Sequence, residues 1–424
     1  MSKLDKLLAK LCPNGVEYKP LECLFDMRNG YTPSKSNPEF WNQGSVPWFR
    51  MEDIRENGGV LNDSLQHINS IAVKGDLFPA NSIIIATSAT IGEHALITVP
   101  FLSNQRFTAL TPKEQYSAAL IPKYLYYYGF VLDRWCLENT NISSFPSVDM
   151  KRFRQFEIPV PPLAVQEEIV RILDAFTELT AELTAELTAE LKARQQQYEH
   201  YRDALLSFDD VNDNLHTGGV TGKAVAWKTL GEIATIARGG SLQKKDFAES
   251  GVPCIHYGQI YTRFGLFADK PLTFIGTEAA KKQKFAEPND IVMAVTSENI
   301  EDVCKCVAWL GNEKVAVSGH TAIIHHNQNA KYLSYYFHTS KFFEQKRKLA
   351  HGTKVIEVTP DKLAEIRIPV PSLAEQKRIV AILDRFDALV NSISEGLPAE
   401  IEARKKQYEF YRDKLLNFKR VEVA

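Results

Sequence analysis

The 424 residues are 44% hydrophobic and 24% charged, with 50 Lys and Arg against 52 Asp and Glu for a formal net charge of −2. This is globular composition in a chain long enough for two or three domains, and it excludes the strong overall basic excess that alone would announce a nucleic-acid binder. Met1–Leu11 lacks a signal-peptide core and no run of about 18 apolar residues occurs. A cytoplasmic protein without a membrane span is therefore expected, and six scattered cysteines suit a reducing compartment.

Residues 1–157 hold 16 basic and 16 acidic side chains and read as a first α/β module, in which the apolar run Ser82–Ala86 predicts a strand. Residues 158–208 turn acidic, 4 basic against 9. Their apolar positions Ile169, Ile172, Phe176, Leu179, Leu183, Leu187 and Leu191, then Tyr198, Tyr201, Leu205 and Phe208, recur at helical steps and predict one long helix, started by Pro159, Pro161 and Pro162. Residues 209–225 have linker composition. Residues 226–367 read as a second α/β module, mildly basic at 19 against 15, with a strand predicted over Asp290–Val295. Residues 368–424 return to helical stepping from Ile379 to Phe418, and Gly396 with Pro398 predicts a kink near 395–398.

The chain repeats itself. IPVPPLAVQEEIVRILDAFTEL at Ile158–Leu179 recurs as IPVPSLAEQKRIVAILDRFDAL at Ile368–Leu389, 14 of 22 positions identical, and Lys192–Phe208 matches Glu402–Phe418 at 11 of 17 in the same register. The twelve residues between, TAELTAELTAEL in the first copy and VNSISEGLPAEI in the second, share length but not sequence. Fainter echoes lie upstream: Val46–Ile54 against Val252–Ile260, and Tyr18–Glu22 against Trp227–Gly231. Two divergent modules are thus each followed by a constant helical segment, and one helix is expected to pack on the other. Consecutive four-residue steps over-rotate a helix, so an irregular crossing is expected at the Leu stripe.

No catalytic constellation emerges. Gly218–Lys223 encloses three residues between glycines where a phosphate loop needs four. Asn37-Pro38-Glu39-Phe40 departs from the base-gripping loop of amino-methylating enzymes, and no HExxH pattern is present. Cys304 and Cys306, the one close pair, are read as alternating positions on a strand. Loops that mix small polar residues with cations and aromatics suit phosphate and base-edge contacts. In the first module these are Tyr31, Thr32, Ser34, Lys35, Trp48, Arg50, Ser88, Arg106, Ser143 and Ser144; in the second, Ser241, Lys244, Lys245, His256, Tyr257, Thr296, Ser297, His320 and Lys354. The Lys281-Lys282 and Lys346-Arg347-Lys348 runs read as solvated faces.

The duplicated IPVPxLAxQxxIVxILDxF and QYExYRDxLLxF segments, with three TAEL units at Thr180–Leu191, resemble the specificity subunit of Type I restriction-modification systems over the whole chain. Tyr31–Lys35, Phe40, Trp41 and Val46–Trp48 look like the opening of that family's recognition domain, from which Gly240–Lys244 and Val252–Cys254 depart. The resemblance implies an α+β fold, with two α/β target-recognition domains alternating with two long helices packed as an antiparallel coiled coil about a pseudo-twofold axis. It implies a non-catalytic subunit that reads the two parts of an asymmetric site in double-stranded DNA, separated by a fixed unspecified spacer. Two methylation subunits and motor-nuclease subunits would be its partners; S-adenosylmethionine, ATP and Mg would belong to them and no cofactor to this chain. A continuous helix from Leu163 to Phe208 would span about 69 Å, each TAEL unit adding about 6 Å, so TAEL copy number is expected to set the spacer. TAEL as plain helix filler is the alternative. The rival classes are a coiled-coil scaffold whose modules bind proteins, and a self-contained methylating enzyme.

Overall fold

The computed structural model describes residues 2–141, 146–210, 224–391 and 396–421. Ser143, Ser144, most of the linker with Gly218–Lys223, and residues 392–395, the last of them at the start of the expected kink, lie outside them. The chain forms two compact units: Met1–Ala185 with Glu402–Ala424, and Glu186–Ile401. Each unit therefore holds one divergent module, the beginning of the helix that follows it, and the end of the helix of the other repeat.

In the first unit a five-stranded sheet runs in the order Phe25–Asn29, Phe107–Pro112, Ser82–Ala86, His94–Ile97, Val60–Leu61, antiparallel except for the last pair. The expected strand Ser82–Ala86 is central and buried along its whole length. Side chains alternate across a strand: Ile83 and Ile85 join the core that includes Tyr124 and Leu125 of the helix Pro122–Glu138, while Ile84 and Ala86 join Phe49, Phe101 and Phe107 under a second sheet, His67–Ile68, Val46–Phe49, Leu102–Ser103.

The second unit repeats this wiring. Its sheet runs Ala234–Arg238, Thr321–His326, Ile291–Ala294, Cys306–Trp309, Phe267–Ala268, again with only the last pair parallel. A second sheet sets Val252–Ile255 parallel to Val315–Val317, as Val46–Phe49 is to Leu102–Ser103. Cys304 does not share a strand with Cys306: it sits at φ 67° in the turn before Cys306–Trp309. Lys346 is also not on a solvated face. The helix Ser340–Leu349 lays it over the preceding turn, where its ammonium donates to the carbonyls of Glu301 and Val303 at 2.8 and 2.6 Å, and only Arg347 and Lys348 of that run are exposed.

The repeated segments hold each unit together. Lys19 pairs with Ile158 and Lys228 with Ile368, which turns the faint Tyr18 and Trp227 echo into one strand register. Gln166, fully buried, accepts from the Ile121 N–H and donates to the carbonyls of Ala119 and Pro161; Gln376 accepts from the Asn329 N–H and donates to the Pro371 carbonyl. Ile169, Leu173, Ile379 and Leu383 are fully buried beneath them. At the far end Arg412 lies 4.2 Å from the Phe130 ring in the first unit, and its counterpart Arg202 packs on Tyr198 in the second.

The first long helix is continuous over Leu163–Leu205, 43 residues and roughly 64 Å. The second is described as Leu373–Asn391 and Leu397–Leu415. Pro398 falls in the first turn of the latter, where its missing N–H removes no helical bond. Within the first unit the two helices run antiparallel, with Phe176 edge-on to Tyr411 at 6.2 Å and the Thr177 hydroxyl 2.8 Å from that of Tyr408; within the second, Tyr201 stacks on Phe386 at 5.5 Å. Leu179 and Leu389, both on the predicted stripe, remain 60% and 63% exposed. Both precede the run of four-residue steps, and Leu187 within that run is buried, so the exposure of the stripe is not explained by its drift.

Candidate nucleic-acid interface

In each unit one rim of the sheets gathers the loops that carry the predicted contact residues. In the first, the chain leaves the strand Phe25–Asn29 through Gly30, where a Cβ would fall 2.2 Å from the Ser103 carbonyl, so the close approach requires glycine. Tyr31 anchors the loop: its hydroxyl donates to the Ala72 carbonyl at 3.1 Å and accepts from the Lys74 N–H, and its own carbonyl takes the indole N–H of Trp48 at 2.9 Å. Trp48 is buried, with Trp41 edge-on at 5.1 Å. These two aromatics therefore fix the loop, and Ser34 and Lys35 stand exposed at its tip. Asn37 caps the short turn Pro38–Phe40 through its side chain.

The neighbouring loops converge on this one. The Thr32 hydroxyl donates to Gln105 Oε1, and the Asn104 N–H bonds the Phe49 carbonyl next to Arg50. Arg50 lies 5.7 Å from the Trp48 ring and its N–H donates to Asp53. The Thr87 N–H bonds the Arg106 carbonyl, and Ser88 bridges to Ser147. Arg106 is exposed.

The second unit draws its candidates together on the same scaffold. Gly239 passes 2.1 Å, as a Cβ would measure it, from the Ser318 carbonyl. Ser241, Lys244 and Lys245 follow, all exposed. Tyr257 has His256 on one side at 4.5 Å and His320 at 4.8 Å, and His320 Nδ1 meets the Thr296 hydroxyl at 3.0 Å. Thr296 and Ser297 pair with Glu357 and Ile356, which brings up the turn that carries exposed Lys354. His256 and Thr296 are buried and hold the rim rather than present themselves on it. Burial, with Lys244 and His320 nearby, pushes the His256 imidazole below its ordinary value.

Gln105, Lys74, Gln243 and Arg238 also stand on these rims and were not singled out from sequence. Arg238 donates to the Gly319 carbonyl and to Glu357. Arg238 ends the strand Ala234–Arg238 and the other three lie in loops, and only the folded register shows what each neighbours.

Both modules thus present loops of unlike length and side chains on the same strand order. The family model for the Type I restriction modification DNA specificity domain matches residues 13–193 and 224–403, one match per repeat. The chain belongs to this family. It is 43% identical over 403 residues to the Type I restriction enzyme EcoprrI specificity subunit of Escherichia coli, covering 93% of this chain and 92% of that one. It is 31% identical over 445 residues to the putative specificity subunit S.HindORF215P of Haemophilus influenzae, covering 98% of each, and 38% identical over 324 residues to the EcoR124I/EcoR124II specificity subunit of E. coli, covering 71% and 72%. Among solved structures, the fold is shared with a chain described in the structural basis of complex assembly and conformational transition of the type I R-M system, at TM-score 0.68, 19% identity and 96% and 98% coverage. The HsdS subunit from Thermoanaerobacter tengcongensis matches at 0.50, with 18% identity and 96% and 97% coverage. Among the described residues no helix is long and apolar enough to cross a membrane.

Proposed function

We propose that each rim reads one half of a bipartite, asymmetric site in double-stranded DNA. The chain, itself non-catalytic, then directs adenine methylation and restriction by methylation and motor-nuclease subunits in the cytoplasm. The observation that carries this reading is the pair of equivalent loop clusters with unlike side chains on one backbone plan, because a change of side chain on a fixed plan changes which base edges are matched. The near-neutral charge fits a subunit that relies on partners for much of its phosphate contact. The methyl donor, ATP and Mg are assigned to those partners.

The test is to co-express the chain with a methylation subunit and map modified adenines across a genome. A two-part motif with a constant spacer is the expected outcome. No motif from a purified complex that retains methyl donor would instead favour a scaffold whose modules bind proteins.

A further inference from the structure

Arg106 and His320 occupy the same place in the two modules. Arg106 precedes the strand Phe107–Pro112 and His320 precedes Thr321–His326. The carbonyl of each accepts from the neighbouring central strand, Arg106 from the Thr87 N–H at 2.9 Å and His320 from the Val295 N–H at 3.0 Å. Two residues earlier, the N–H of Asn104 bonds Phe49 and that of Ser318 bonds Ile255. A second pair coincides as well: the N–H groups of Arg50 and His256 donate to the third residue on, Asp53 and Gln259. At both places the first module carries an arginine and the second a histidine.

Arg106 and His320 are exposed, and among the described residues neither the Arg106 guanidinium nor Nε2 of His320 has a partner. The Thr296 hydroxyl engages Nδ1 of His320 and the Tyr257 ring lies tilted at 52° to the imidazole, which leaves Nε2 as the unengaged nitrogen of an exposed ring. Arginine presents a planar fork of donors that can engage two acceptors at once, whereas a free ring nitrogen of histidine makes a single hydrogen bond. We infer that Arg106 and His320 are corresponding specificity-determining residues, so that the first half-site is read by a two-pronged donor and the second by a single ring nitrogen.

The Thr296 hydroxyl sets which ring nitrogen is offered: when Nδ1 accepts from Thr296, Nε2 carries the N–H and donates. A fork of donors suits a base edge with two neighbouring acceptors, whereas a single N–H is satisfied by one, so the two positions favour different base edges.

This inference rests on the rims being the DNA surface, and the experiment separates the two. The modified motif of the complex of full-length chain and methylation subunits is mapped for the wild type and for Arg106→Gln, His320→Gln and His320→Arg, and affinity is measured on a duplex carrying the wild-type site. Arg106→Gln should relax one position of the first half-site alone and His320→Gln one position of the second alone, each with about a tenfold loss of affinity, and His320→Arg should change the base preferred at that position. If Arg106→Gln and His320→Gln weaken binding while the motif stays unchanged, the two residues touch only phosphates, the inference is overturned and the rims stand. If every substitution leaves both affinity and the modified motif unchanged, the rims themselves are not the reading surface.

Discussion

The Tyr335 hydroxyl donates to Asp384 Oδ1 at 2.7 Å, while Lys331 holds the other oxygen of that carboxylate at 2.8 Å. The first unit has the same arrangement, with Tyr127 and Lys123 on Asp174. Asp174 and Asp384 are the aspartates of the duplicated ILD motif, so the repeat preserves the clamp that fixes each module to the helix that follows it. Tyr335→Phe removes a hydrogen bond to a charged group without opening a cavity. It should cost about 1.5 kcal/mol, read as a lower urea midpoint at constant slope; an unchanged midpoint would show that the clamp contributes nothing net.

The same buried tyrosines predict loss of stability in alkali. Burial raises the hydroxyls of Tyr124, Tyr332, Tyr335 and Tyr336 above their ordinary value of 10.0, and raises the Cys304 and Cys306 thiols from 9.0 to about 12. The unfolded chain gives up these protons first and so binds fewer of them than the native chain above pH 9. Stability is therefore fully present below that pH and falls as pH rises through 9 to 10. Lys346, whose burial lowers its value, opposes this as a single group. Thermal midpoints should be flat from pH 7.5 to 8.5 and drop steeply by pH 10.5; a flat profile throughout would contradict the burial of these groups.

His94 and Asp133 form a buried pair at 2.5 Å, and the other ring nitrogen of His94 lies 2.8 Å from the Tyr126 carbonyl. A carbonyl only accepts, so Nε2 carries a proton. Gly129 makes room for the ring, since a Cβ there would sit 2.5 Å from it. Asp133→Ala leaves the ring without its partner and should cost about 3 kcal/mol. Asp133→Asn keeps a donor for Nδ1 of a neutral ring and should cost less than half as much. Equal losses for the two variants in urea melts would refute this account.

Much of this architecture is legible in the sequence, and the rest is hidden for physical reasons. The duplicated segments announce the helices because their apolar steps are long and their contacts local. Ser82–Ala86 announces a strand because it is apolar on both faces. Gln166 and Gln376 stand out as identities, but their partners lie in loops such as Ile121 and Asn329 that share no sequence. The equivalence of Arg106 and His320 is invisible for a related reason. Phe49 corresponds to Ile255 but Phe107 to Thr321, so loops of unequal length shift the register and no single offset aligns the modules. Trp48 looks like a contact residue by type, and only its burial shows that it props the loop.

The division between the two units falls at Ala185 and Glu186, inside the TAEL repeat, on the uninterrupted helix Leu163–Leu205. Deleting Thr184–Leu187 shortens that helix by about 6 Å and, at 3.6 residues per turn, changes its phase by about 40°. In the proposed reading, half-site sequences depend on the rims, which the deletion does not touch, whereas the spacing between half-sites depends on the helix. The deletion should therefore leave both half-sites intact and shorten the unspecified spacer by one or two base pairs, at about 3.4 Å each. Mapping methylated adenines for the deleted chain with its methylation subunit reads both quantities at once. An unchanged spacer with unchanged half-sites would reduce TAEL to helix filler, favoured only because Ala, Glu and Leu are strong helix formers.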